Sequence, residues 1–226
     1  MLSIVFGFED STILFNLRVY LANLVKFFIL SFIALLIHNW VQKFYADRVG
    51  AVTDFSLWSS ITKIRLFGKQ KIFKFPTGIV APLLVTFISL GQVFFAAATT
   101  TETRVKPAYR IGRKFVKLTE YERAKIAVIS PIAHILIAII LNLLAIPVLD
   151  DFARVNTMIA ISTMLPLPGL LGITVFFGSK PLYVISAVFI LVSALLTNFL
   201  SPFATIIVAV ILALAAFFTY LYRFHK

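Results

Sequence analysis

The sequence predicts an all-α membrane protein, a polytopic helical bundle of five to six transmembrane segments with a small β-hairpin on the cytoplasmic side. Three observations carry that expectation. The 226 residues are 61% hydrophobic, have a mean hydropathy of +1.01 and are only 13% charged, which is more apolar surface than a soluble domain of this size can hide. Uncharged runs at 75–101, 126–149, 155–179 and 181–222 reach the roughly 20 residues that a helix needs to cross a bilayer. A fifth segment, about 19–42, carries a single charge, Lys26. The charges collect between the runs, giving six basic residues against Asp54 over 48–74 and eight against three acids over 102–125.

Residues 1–18 read as a short amphipathic or extended lead holding Glu9 and Asp10, without the basic stretch and small-residue cleavage site of a signal peptide. The first spanning helix follows and ends near Gly50. From Asp54 to Phe75 the pattern changes. Lys63-Ile64-Arg65-Leu66-Phe67 and Lys71-Ile72-Phe73-Lys74-Phe75 alternate polar with apolar around Gly68-Lys69-Gln70, the period-two signature of a β-hairpin. The apolar stretch 78–99 is interrupted by Pro82 and Gly91 and has basic sequence on both sides. A re-entrant segment keeps both basic stretches on one face of the membrane, so five full spans plus one re-entrant segment are expected. Its backbone must then be buried in protein rather than lipid.

Thr119-Glu120-Tyr121-Glu122 has the T-x-x-E form of a capping box and opens the next long helix. Ser130-Pro131 falls in its early turns, and Pro147 marks its end. Another helix is expected after Asp150-Asp151, broken by Leu165-Pro166-Leu167-Pro168-Gly169. The run 181–222 divides at Ser201-Pro202 into two last helices. The chain thus reads as a single integral membrane domain over 1–226, with a core at about 20–175 and two additional helices at 181–222.

The net charge of +12 points to the positive-inside rule and to anionic lipid headgroups. The basic loops 43–77 and 100–125 and the C-terminus are therefore expected on the cytoplasmic face. No motif suggests a nucleic-acid partner. Tyr220 and Tyr222 beside Arg223 and Lys226 look like an interfacial anchor, and Trp40 and Trp58 are expected to act similarly near the first basic loop. Cysteine is absent, which excludes disulfides, thiolate metal sites and cysteine nucleophiles.

The chemistry-bearing candidates are three short motifs. His38-Asn39-Trp40-Val41-Gln42 closes the first apolar helix. Ser130-Pro131-Ile132-Ala133-His134 opens the middle one, and Thr163-Met164-Leu165-Pro166-Leu167-Pro168-Gly169-Leu170-Leu171-Gly172 breaks the one after. In this order they resemble the site-2 protease family of intramembrane zinc metalloproteases, whose patterns are H-E-x-x-H, G-P-x-x-N and N-x-x-P-x-P-x-x-D-G. The hairpin after the first motif is similar to the β-structure that the family places beside its active site.

Carried over by the resemblance, His38 matches the first zinc ligand. Asn39 stands where the glutamate base belongs, Gln42 where the second ligand belongs, and Leu171 where the aspartate ligand belongs. Thr163 replaces an asparagine that helps to position substrate. An amide cannot act as the base and is a poor zinc ligand, and loss of the glutamate removes water activation. The resemblance therefore implies a pseudoenzyme in which no cofactor is expected. It would bind a transmembrane or extended client segment, or an active protease, through the former substrate path, with Thr163, Pro166, Pro168, Ile72 and Phe73 as candidates for that path. Two alternatives stand beside it. One is an active intramembrane zinc metalloprotease with atypical ligands, starting from His38 and His134. The other is a small lipid-binding or transport-type scaffold. His38, buried and hydrogen-bonded to Asn39, Gln42 or Thr163 in a polar pocket, is the plainer expectation.

Overall fold

The computed structural model describes residues 1–7, 17–66, 69–89, 94–106, 117–144 and 146–224. Among these the elements run α1 (Leu2–Gly7), α2 (Leu17–Arg48), β1 (Ala51–Leu57), β2 (Ser60–Leu66), β3 (Lys69–Phe75), α3 (Thr77–Ile88), β4 (Thr99–Val105), α4 (Glu120–Leu141), α5 (Pro147–Met164), α6 (Leu171–Gly178), α7 (Lys180–Leu196) and α8 (Pro202–Phe224). Three helices are long and apolar enough to cross a membrane: Arg18–Arg48, Glu120–Leu141 and Pro202–Phe224. The described residues are mostly helical with small β elements, an architecture compatible with a helical membrane protein.

Local chemistry explains the boundaries. α2 is a single helix of 32 residues, about 48 Å long at ~1.5 Å per residue. It stops where Gly50 takes φ 73, a left-handed conformation that favours glycine past a helix end. The capping box at the head of α4 forms as expected: the Thr119 side chain accepts from the Glu122 backbone N–H, and the Glu122 carboxylate accepts from the Thr119 N–H at 2.9 Å. α5 ends at Met164 because Leu165 takes an extended ψ of 137, which the following Pro166 imposes on its neighbour. α5 begins at Pro147, ahead of Asp150-Asp151, because proline is pre-organised for a first helical turn.

The β2–β3 hairpin is present, with Leu66 paired to Lys69 and Ser60 to Phe75. Gly68 and the side chains of Ile72 and Phe73 lie outside the described residues, as do Glu9, Asp10 and His225. A second antiparallel pair, β1 with β4, joins Ala51 to Val105 and Leu57 to Thr99. The sequence reading treated Thr99–Val105 as part of a basic loop. Its four threonines and valine are β-branched residues that suit a pleated strand, but their partner lies far away in the chain. The 78–99 stretch is not one long helix. α3 covers only 12 residues, about 18 Å, which falls short of the ~30 Å hydrocarbon core. Residues 94–98 then run without regular structure into β4.

α4 is the central helix, packing against α2, α5, α6 and α7. On one side Ile135, Ile139, Met164, Leu171, Val175 and Ile190 form an apolar cluster. On the other, α1, α2 and the 94–98 segment meet α5 through Phe6, Phe27, Ala34, Ala96 and Ile159. The outer face of α2 exposes Phe28, Phe32, Leu36, Trp40 and Phe44, as a lipid-facing surface does. Trp40 and Tyr222 are exposed.

Trp58 is different and corrects the expectation of an interfacial anchor. It is 7% exposed and ties three segments together. Its N–H donates to Ala98 O at 3.0 Å, its carbonyl accepts from Gly78 at 2.7 Å, and its indole donates to Pro168 O at 2.9 Å. A Cβ at Gly78 would strike Ala98 O, and one at Gly169 would strike the indole nitrogen, so both positions need glycine for close approach.

Candidate functional site

α2 and α4 each present two polar side chains one turn apart, and the two pairs face each other. His38 and Gln42 share one face of α2 by the i, i+4 rule, and Ser130 and His134 share one face of α4. His38 Nδ1 lies 3.1 Å from His134 Nε2, and Gln42 Nε2 lies 2.9 Å from Ser130 Oγ. All four are at most 2% exposed. The rings of His38 and His134 stack with centroids 5.2 Å apart.

The contacts form one directional chain. Asn156, fully buried on α5, donates its amide Nδ2 to Phe152 O at 2.7 Å. Its Oδ1 therefore accepts from His134 Nδ1–H at 2.6 Å. A neutral His134 then has Nε2 free to accept from His38 Nδ1–H. His38 Nε2 in turn accepts from the Ser130 hydroxyl at 3.4 Å, a long contact. Ser130 Oγ accepts from Gln42 Nε2, and Gln42 Oε1 accepts from the Thr101 hydroxyl at 2.8 Å. From Thr101 on β4 to Phe152 O on α5, every donor meets an acceptor with both imidazoles neutral. This is the arrangement that buried polar groups require, and the amide orientation of Asn156 sets both tautomers.

The β1–β4 sheet covers this chain. Phe55 and Thr101 are register partners. Thr101 binds Gln42, while the Phe55 ring lies 5.7 Å from that of His38. At the base of the sheet Lys106 pairs with Asp47 at 3.3 Å.

The structure thus joins the first two motifs by hydrogen bonds, while the third packs against the helix of the second through the apolar side chains of Met164 and Leu171. Thr163 turns its hydroxyl back on its own helix, donating to Ile159 O at 2.7 Å, so the expected partnership of His38 with Thr163 is not formed. Leu171 is 4% exposed and packs in the α4–α6 cluster. Pro168 contributes its carbonyl to Trp58, and Pro166 serves to end α5. Asn39 is half-buried. Of the expected partners of His38, Gln42 is joined to it through Ser130, and His134 takes the direct place. Asn156, Thr101 and Phe55 were missed by sequence reasoning. Asn156 carried a signal, being an amide in the apolar part of α5, two turns before Thr163.

Catalytic zinc takes three protein ligands. Among the described residues no group of three or more His, Cys, Asp or Glu side chains converges. His38 and His134 are two imidazoles whose facing nitrogens bond each other, and their neighbours are amides and hydroxyls. No family model matches the chain, and neither does any curated protein or solved structure.

Proposed function

We propose that this chain is a non-catalytic membrane protein with a site-2-protease-like core, which holds a transmembrane or extended segment of a client protein. The observation that carries the reading is the closed hydrogen-bond chain at the place where the resemblance puts the catalytic motif. The base and two ligands of the pattern are Asn39, Gln42 and Leu171, and the remaining ligand, His38, is engaged by His134 and Ser130. A site of this kind has neither the donor set to hold zinc nor a carboxylate to activate water.

The topology proposed with it has five full spans and a partly inserted α3. The basic loops 43–77 and 100–125 and the C-terminus lie on the cytoplasmic face against anionic headgroups. The short α3 and the charge pattern support it. Client binding is supported by the two-stranded β1–β4 and β2–β3 pairs, which have outer edges with backbone groups suited to strand addition. The partner is a transmembrane client or an active protease.

The test is the metal content of the detergent-purified protein, wild type beside His38→Ala, with a photo-crosslinking residue in place of the exposed Val52 to capture a membrane-embedded client peptide. The reading expects no stoichiometric zinc and a crosslinked, uncut peptide. Near-stoichiometric zinc that is lost in His38→Ala, with chelator-sensitive cleavage, would replace it by the active-protease alternative, for which the His38–His134 pair is the supporting observation.

A further inference from the structure

At the end of the bundle away from the basic loops, α5 and α7 flank a cavity of about 780 Å³, a size typical of a small-ligand site. Its α5 wall is one helical stripe running from Asp150 and Arg154 through Thr157 to Ile161. The facing wall runs from Asn198, just past the end of α7, back to Ala194 and Leu191 on that helix. A narrower pocket of about 50 Å³ shares Ile161 and Leu191 and continues along both helices to Leu165 and Tyr183. The groove is thus polar at its mouth and apolar along its length. From Asp150 to Leu165 it covers 15 residues of rise, about 22 Å. That suits a headgroup plus one leaflet of hydrocarbon, which is ~15 Å if the core is ~30 Å thick.

The mouth carries both signs of charge. Asp150 and Arg154 stand one turn apart on the same stripe, both exposed, and Asn142 adds an amide from the end of α4. Close by, Lys26 Nζ bonds Asp151 Oδ2 at 2.7 Å, pinning α2 to the first turns of α5. A purely anionic headgroup would face Arg154 but also the Asp150 carboxylate. A headgroup that carries a phosphate and an ammonium has a partner for each.

We infer that the α5–α7 groove binds a zwitterionic phospholipid with a primary ammonium headgroup. Its phosphate sits against Arg154, its ammonium against Asp150 and the side-chain carbonyl of Asn142 or Asn198, and an acyl chain lies between Ile161 and Leu191. Guanidinium–phosphate contacts are charge-assisted, and the chain contributes by burial of its methylenes. This inference does not rest on the client-binding reading, because the site uses none of the His38 chain.

The test is native mass spectrometry of the full-length protein, delipidated in detergent and titrated with an equimolar mixture of phosphatidylethanolamine and phosphatidylglycerol of the same acyl composition. Wild type is expected to retain phosphatidylethanolamine in roughly tenfold preference, the scale of one charge-assisted contact. Asp150→Asn should abolish the preference while keeping binding, Arg154→Gln should weaken both lipids, and Ala194→Phe, which fills the groove, should remove both. Asp150→Asn is an exposed, isosteric change, so its result does not depend on refolding. Equal retention of the two lipids by wild type, a preference for phosphatidylglycerol, or a preference untouched by Asp150→Asn would overturn the assignment.

Discussion

Replacing His134 by leucine tests whether the buried chain is a connected unit. The side chains are close in volume, so the change removes hydrogen bonds more than packing. It leaves His38 Nδ1–H and Asn156 Oδ1 without partners, two groups in a region where neighbouring helices exclude water. Unmade buried polar groups cost about 1–3 kcal/mol each, whereas side-chain hydrogen bonds between membrane helices average ~0.6 kcal/mol. The loss for His134→Leu is therefore bracketed at about 1–6 kcal/mol. His38→Leu leaves His134 Nε2 and the Ser130 hydroxyl unmatched, again two groups. The double variant orphans only Asn156 Oδ1 and the Ser130 hydroxyl, because the mutual contact is gone from both sides. Four orphans summed over the single variants become two in the double, so the double should cost about half the sum. The difference, two orphaned groups, is a coupling of about 1–6 kcal/mol. Equilibrium unfolding of the four proteins in mixed micelles measures it. Additivity within about 0.5 kcal/mol would refute the direct ring-to-ring bond and the single-direction chain built on it.

Three further outcomes follow from particular contacts. Gly169→Ala forces a side chain into φ 89 and onto the Trp58 indole; a loss of about 1–3 kcal/mol is expected, with a red-shifted emission of Trp58 read in a Trp40→Phe background. Ala209 is fully buried on α8, where α8 packs on α7. Ala209→Leu should overpack that seam at about 1–3 kcal/mol, seen as a lower midpoint of detergent-induced unfolding. Thr119→Ala removes one half of the capping box of α4 and should cost about 1 kcal/mol, which thermal unfolding followed by circular dichroism can check; Thr119→Ser should restore most of it.

The helical elements were largely legible in the sequence because their causes are local. The T-x-x-E box, the proline breaks at Pro166 and Pro202 and the uncharged runs each act within a few residues, and the elements begin and end close to them. The β2–β3 hairpin was legible for the same reason, since its alternation and its turn are adjacent in the chain. β4 was not. Thr99–Val105 becomes a strand only by pairing with β1, about 50 residues away, and nothing within the segment names that partner. Trp58 was misplaced because an aromatic near a basic loop has the same local sequence whether it faces the interface or plugs a junction between α3 and the 165–170 turn.

The candidate site divides in the same way. By itself the sequence determined that one long apolar helix carries His38 and Gln42 one turn apart, because side-chain identity and helical period are properties of the chain alone. It also marked Ser130-Pro131-Ile132-Ala133-His134 as a second motif. Only the tertiary structure decided that the two pairs face each other, that Asn156 rather than Thr163 completes the chain, and that Leu171 goes to the apolar cluster. The physical reason is that a buried hydrogen bond needs both partners at about 3 Å with matched donor and acceptor. The relative rotation of α2, α4 and α5, fixed by the apolar clusters on either side of α5, determines which polar groups meet.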